Sequence, residues 1–326
     1  MLGDMTDFRL AERMGRLGTE SAFEVLARAK ALEAAGQRVI HLEIGEPDFP
    51  TAEHVSEAAV EALRAGHTHY VPAPGIPALR ESVAAFLERT GRLRTSPDRV
   101  VVTPGAKPIM FFTIMALCGP GDEVLYPDPG FPMYESITAF AGATPVPVPL
   151  RESNGFRIDV DGMADRTILL DGWSKTYAMT GWRLGFGVFP AALVEPVTRL
   201  AINSVSCTSA FSQYGAIAAL DGPQTGVAAM VAEFRRRRDV IVAGLNAIDG
   251  VSCLEPQGAF YAFPNITGTG LTADELAGRL LREAGVAALA GTAFGRHGEG
   301  FLRFSYANSV DNIEAALDAI KFLLHS

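Results

Sequence analysis

The sequence predicts an α/β architecture: a mainly parallel central sheet with helices on both faces, followed by a smaller α+β lobe. Three observations predict it. Short β-branched runs alternate with amphipathic helical stretches up to about residue 250, the pattern of strands buried on both faces. Beyond that point the order changes to short strands grouped with two helices. The chain has 326 residues, 48% hydrophobic and 20% charged, which is apolar material for about two cores and too much for a disordered chain.

The elements follow in order. Residues 1–18 read as a loose arm rich in Gly and Arg. Ser21 and Glu24 have capping-box spacing, and Ala22, Val25, Leu26, Ala29 and Leu32 recur at helical spacing until Gly36. Val39 to Ile44 reads as a strand running into the turn-rich loop from Gly45 to Pro50. Residues 53–65 and 77–90 read as amphipathic helices, joined by a loop that carries Tyr70 and Gly75. Val100 to Thr103 is a β-branched strand, and a helix follows from Pro108, where a missing N–H costs nothing. Glu123 to Tyr126 is a strand broken at Asp128-Pro129-Gly130, and Pro145 to Leu150 an extended edge. Thr167 to Leu170 and Leu184 to Phe189 are strands. A long helix covers about 226–247, and its run Arg235 to Arg238, flanked by Glu233 and Asp239, reads as a solvated face. The last lobe holds a strand from Gly258 to Phe263, a helix capped by Thr272 with Glu275, strands near Val286 and at Phe301 to Tyr306, and a helix from Asp311. The expected division is 1–45 as arm and first helix belonging to a small domain, 46–248 as a large domain, and 249–326 as a C-terminal small α+β domain.

Charge and cysteine content exclude several classes. Lys and Arg number 28 against 37 Asp and Glu, a net charge of −9, so neither nucleic acid nor an anionic membrane is an expected partner. No stretch of about 18 apolar residues is present to span a bilayer. The first 16 residues lack a charged start followed by an apolar run, so a cytoplasmic location is expected. Cys118, Cys207 and Cys253 are too scattered for a disulfide framework or a metal site, and read as buried apolar thiols; no metal is expected.

Two segments could carry chemistry. Gly105-Ala106-Lys107 lies between a strand and a helix, where free N–H groups and the positive end of the helix dipole suit a phosphate, though such turns are common. Lys175 lies just past a strand's carboxyl end, where open α/β sheets place their ligands, and Arg183 follows eight residues later. Such a lysine can form a Schiff base and such an arginine can clamp a phosphate. By spacing alone, a surface lysine and a structural arginine account for the pair at least as well. Likewise Phe131 reads as core and Arg303 as a structural ion pair.

The residue types tip that balance. The stretch Asp171-Gly172-Trp173-Ser174-Lys175-Thr176-Tyr177-Ala178-Met179-Thr180-Gly181-Trp182-Arg183 resembles the lysine signature of the class I/II aminotransferases, the fold-type I enzymes dependent on pyridoxal phosphate. Ordered matches run along nearly the whole chain: Gly45-Glu46-Pro47-Asp48-Phe49, Pro74-Gly75-Ile76-Pro77, Thr103 to Lys107, Pro127 to Phe131, Gly258 to Tyr261, Gly291 to Gly295 and Leu302 to Ser305. They look most like the bacterial aspartate-aminotransferase-like branch. The resemblance implies a transfer of an amino group between an α-amino acid and a 2-oxo acid through an aldimine on Lys175. It implies that Gly105, Ala106 and Lys107 cradle the cofactor's phosphate, with Arg183 paired to it and Ser174 adding a hydroxyl. Phe131 would stack on the pyridine ring, and Tyr70 would reach the phosphate of the neighbouring subunit in a homodimer. Arg303 would bind the substrate α-carboxylate under the closing Gly45 loop. No second arginine is placed for a dicarboxylate, so the amino acid is left open.

The resemblance has one gap. Between the Phe131 region and the lysine strand the family carries an Asn-Pro-x-Gly motif, whose Asn holds the cofactor's phenolic oxygen, and an Asp, followed closely by a Tyr, whose carboxylate pairs with the pyridine N–H. This chain passes from Gly155-Phe156 through Asp159, Asp161 and Asp165 directly to Arg166-Thr167. An internal deletion before Arg166, of roughly 60–70 residues or two strand–helix units, is expected. A shortened or rearranged sheet is expected with it. Weak or lost catalysis is the alternative reading, and a change of chemistry to β-elimination or racemisation a third.

Overall fold

The computed structural model describes residues 9–157 and 168–325. Asp159, Asp161, Asp165 and the start of the Thr167 strand lie outside the described residues. The helices are α1 (Ser21–Ala34), α2 (Glu53–Arg64), α3 (Pro77–Arg89), α4 (Lys107–Leu117), α5 (Met133–Ala141), α6 (Trp173–Thr176), α7 (Ala191–Val205), α8 (Ala210–Asp221), α9 (Thr225–Asn246), α10 (Ala273–Arg279) and α11 (Val310–His325). The strands are β1 (Ile40–His41), β2 (Val100–Thr103), β3 (Glu123–Asp128), β4 (Thr144–Pro149), β5 (Leu169–Gly172), β6 (Gly185–Val188), β7 (Tyr261–Ala262), β8 (Val286–Ala287), β9 (Leu289–Ala290) and β10 (Leu302–Ser305).

Strand β2 shows how the larger lobe is built. All four of its residues are buried, and they alternate between two cores. Val100 and Val102 pack with Val55 of α2, Leu79 of α3, Trp173 and Leu184. Val101 points the other way, against Ile109 and Phe112 of α4 and Val197 of α7. A strand covered on both faces has no polar side, and so the sequence Val-Val-Val-Thr suffices to place it. In the main core of the other lobe, Ile40 and Leu42 join Ile241, Leu245, Phe304 and Ile313, and a smaller cluster gathers Ala29, Val39, Leu281 and Ala287. The N-terminal strand β1 therefore pairs in parallel with β8.

The sheets combine both directions. β1 with β8 and β3 with β4 are parallel pairs. β2 and β5 run in the same direction, on either side of an antiparallel β6. The chain returns from β5 to β6 through one helical turn, α6, and a tight loop. That link lacks the full helix of a parallel crossover, so the two strands lie antiparallel.

Among the described residues the larger lobe's strands form two separate pieces, β2-β6-β5 and β3-β4. β5 pairs only with β6, and β3 only with β4. In the middle of those strands Leu125 is 72% exposed and Leu170 41% exposed, where a doubly covered sheet would bury them. The outer edge of β4 is different. Thr144 and Leu150 donate inward to β3, leaving Pro145, Pro147 and Pro149 on the outer side, where no N–H exists to recruit another strand.

Several local expectations change. Helix α1 is capped at Glu20 without a side-chain cap bond, so Ser21 and Glu24 form no capping box. Thr272 and Glu275 do form one. The strand read over Val39 to Ile44 shortens to Ile40–His41. Arg237 is not solvated: it is buried, holds Asp48 at 2.7 Å and Glu233 at 2.9 Å, and covers the Phe49 ring. Of the three cysteines only Cys253 is buried; Cys118 and Cys207 are partly exposed.

Candidate active site

The site forms where the two lobes meet. Gly105 has a φ of +90°, which closes a tight turn between β2 and α4. Thr103 locks that turn by donating its hydroxyl to Gly105 O at 2.6 Å. A Cβ at Gly105 would stand 2.4 Å from Nη2 of Arg183, so only glycine lets that guanidinium lie over the turn. Arg183 itself takes a left-handed φ of 54°, uncommon for a non-glycine residue, and donates to Thr180 O at 2.8 Å. Ala106 and Lys107 complete the turn at the start of α4, where first-turn N–H groups have no partner within the helix. Gly185 of β6 is required as well, since its Cβ would lie 2.4 Å from Ala106 N.

Lys175 sits in the one-turn helix α6, directly after β5 and next to Ser174. Its ammonium donates to Gly45 O. Burial lowers its pKa; Glu46 opposes the shift, while the cations Arg183 and Arg303 add to it. Glu46 is held by a hydrogen bond from Thr180. Arg303 comes from β10 in the other lobe and donates to Glu43 O, two residues before Gly45. Its guanidinium lies 4.3 Å from the Tyr261 ring centre and 4.9 Å from that of Phe294. Its Nε is buried without a partner, and burial lowers its pKa. A Cβ at Gly45 would fall 1.7 Å from the Tyr261 hydroxyl oxygen, so this loop too depends on a missing side chain.

The remaining expected residues are placed unequally. Phe131 faces Lys107, whose ammonium lies 5.5 Å from its ring centre. Tyr70 is 90% exposed on its loop and touches none of these groups within the chain. Lys107 makes an ion pair with Glu20. Glu20, Glu46, Tyr261 and Phe294 were given no role from sequence. Tyr261 and Phe294 lie within matched motifs, whereas Glu20 has no signal beyond its place before a helix. A groove of about 630 Å³ lies elsewhere, along α7 by Asp98 and Thr198.

This fold, with its lysine directly after a strand and its arginine-covered glycine turn, is that of the fold-type I pyridoxal-phosphate-dependent transferases. The structure of aspartate aminotransferase from Rhizobium meliloti aligns with a TM-score of 0.92 and 31% identity, covering 98% of this chain and 99% of that one. The aromatic aminotransferase of Pyrococcus horikoshii aligns with a TM-score of 0.85 and 32% identity, over 92% and 98% of the two chains. By sequence, the aspartate aminotransferase of Pyrococcus abyssi is 34% identical, covering 89% of this chain and 93% of its own. The family model of aminotransferase class I and II matches residues 37–167 and 163–320. The chain belongs to this aminotransferase family, and its class of chemistry is amino-group transfer. No helix of the described residues is long and apolar enough to cross a membrane.

Proposed function

We propose that the protein is a pyridoxal-phosphate-dependent aminotransferase acting on an α-amino acid and a 2-oxo acid. The observation that carries this reading is convergence: Lys175 from one lobe and Arg303 from the other donate to carbonyls of the same loop, Gly45 and Glu43. The residues fit the cofactor. The glycine turn under Arg183 is a cradle that a Cβ would fill, and the orphan Nε of Arg303 is a buried donor awaiting a carboxylate. Gly105, Ala106, Lys107, Ser174 and Arg183 would hold the phosphate and Phe131 the ring. When bound, pyridoxal phosphate supplies the electron sink that makes the amino acid's Cα proton acidic. Arg303 binds the α-carboxylate as a fork and fixes the orientation of that Cα. Lys175, whose pKa burial and its cationic neighbours lower, would hold the cofactor at its aldehyde carbon and would carry the proton to and from the substrate Cα. Tyr70, projecting into solvent here, would complete the phosphate site of a second subunit in a homodimer.

The decisive test is a titration with pyridoxal phosphate. A visible absorbance band that is lost in Lys175→Ala, and that an amino acid converts to the pyridoxamine form, is the expected result. Absence of any band in the wild type sinks the proposal.

A second reading, a relative with weak or lost catalysis, is favoured by one observation: the Asn-Pro-x-Gly motif and the strand-end Asp are missing from the sequence. Two findings support a deletion. The alignment with the Pyrococcus abyssi relative runs over 363 positions, more than the 326 residues of this chain. The family model also breaks at residues 163–167, between β4 and β5. Loss of the carboxylate beside the pyridine nitrogen removes a contact of about 1.5–3 kcal/mol. Cofactor binding without conversion by any amino acid is the result that selects this second reading.

A further inference from the structure

Glu20 stands at the N-cap of α1 and makes no side-chain cap bond there. Its side chain, 19% exposed, reaches across to the Lys107 ammonium instead. The arm that delivers it is fastened to this chain's own α5, through Gly18 N donating to Ser136 Oγ at 2.8 Å. Lys107 in turn lies against Phe131. The Glu20 charge also acts, more weakly than burial, on Lys175, Arg303 and Tyr261.

This arrangement bears on the question that sequence leaves open. A substrate anchored by its α-carboxylate on Arg303 and by its nitrogen at Lys175 must point its side chain at one of the surrounding walls. On the wall formed by Phe131, Lys107 and Glu20, the one cation is already neutralised. A second carboxylate there would have to displace Glu20 from Lys107 or lie beside it unpaired. An uncharged side chain meets a neutral ion pair and an aromatic ring, and loses nothing.

We propose that Glu20 is a specificity-determining residue that masks Lys107, so that the site selects amino acids with uncharged side chains and disfavours dicarboxylic ones. The proposal rests on the aminotransferase reading of the same site. It rests on no contact with the cofactor. Discrimination works by a repulsive element rather than by a new attraction.

The test is ligand binding, measured by calorimetry on the full chain equilibrated with pyridoxal phosphate, with maleate as the dicarboxylate probe and propionate as the monocarboxylate. Wild type is expected to bind maleate no more tightly than propionate. Glu20→Gln, which keeps size and removes the charge, is expected to tighten maleate at least about tenfold while propionate stays within about twofold. Adding Lys107→Met, which leaves the backbone N–H of the turn intact, is expected to abolish that gain. An unchanged maleate-to-propionate ratio in Glu20→Gln, or a gain that survives loss of Lys107, overturns the proposal while leaving the aminotransferase reading in place. Failure of wild type and Glu20→Gln to bind either acid overturns both. A thermal midpoint of Glu20→Gln close to wild type confirms that the comparison is between folded proteins.

Discussion

At Gly105 two demands meet at a single atom. The backbone is left-handed, and the space a Cβ would occupy belongs to Arg183. Gly105→Ala is therefore expected to cost on the order of 1–2 kcal/mol in backbone strain alone and to push Arg183 off the turn. Cofactor affinity should fall by at least about tenfold, with α4 retained in circular dichroism. Lys175 gives a second prediction. Its pKa lies below the ordinary 10.5, through burial first and Arg183 and Arg303 after it. Labelling of the cofactor-free chain by an amine-directed reagent should thus reach its midpoint at lower pH than for free lysine. Arg183→Met should move that midpoint upward, because it removes a repelling cation; no movement would contradict this account. Lys175 and Arg183 were legible because their setting is a contiguous string, Asp171 to Arg183. Glu20, Tyr261 and Phe294 were not, because only the tertiary fold brings 20, 261 and 294 to one place.

Elements repeat the contrast. β2 could be read as it stands, since four apolar or β-branched residues between turns have one good solution. Helices α7 and α8 went unread. α8 buries Ala210, Ser212, Gln213, Gly215, Ala216, Ala219 and Leu220, a helix enclosed on most sides by small and polar residues with no apolar stripe to mark it. Arg237 misled for a related reason, since its partners Asp48 and Phe49 lie far away in sequence. Beside β1, His41 holds Glu43 at 2.7 Å and Glu33 at 3.1 Å. Burial works against its charge, yet the two carboxylates raise its pKa above 6.5. The stabilisation from this charge is fully present below 6.5 and lost as pH rises through the higher folded value. His41→Gln is accordingly expected to lower the thermal midpoint more at about pH 5.5 than at about pH 9. The difference should be at most about 1 kcal/mol, since the pair is partly exposed. Equal losses at both pH values would show that the hydrogen bonds, not the charge, matter there.

Across the whole molecule, the sequence indicated the family, because its motifs follow one another in order along nearly the whole chain. It did not indicate how the remaining strands would pair. They keep the flanking pieces β2-β6-β5 and β3-β4, each with an inner edge lacking a neighbour among the described residues. Leu125 and Leu170 stand exposed beside those edges. Such a surface should bind an apolar dye and favour association between chains. Leu125→Lys should reduce both, measured by dye fluorescence and light scattering. Inserting, between β4 and β5, the corresponding segment of the Rhizobium meliloti relative should raise the thermal midpoint and quench the dye signal. A spliced chain no more stable than the original would show that the two sheet pieces are not waiting for strands.

The prolines of β4 give that experiment its direction. Three positions without an N–H leave the outer rim of β4 with carbonyl acceptors but no donors, so a newcomer strand finds both donors and acceptors only on the inward side. The scaffold behaves like a book bound on one side: pages can be added only in the middle. Libraries of foreign strand pairs placed there would be filtered by a frame that rejects misplacement at its margin, which makes this short chain a selection device for β-strand compatibility.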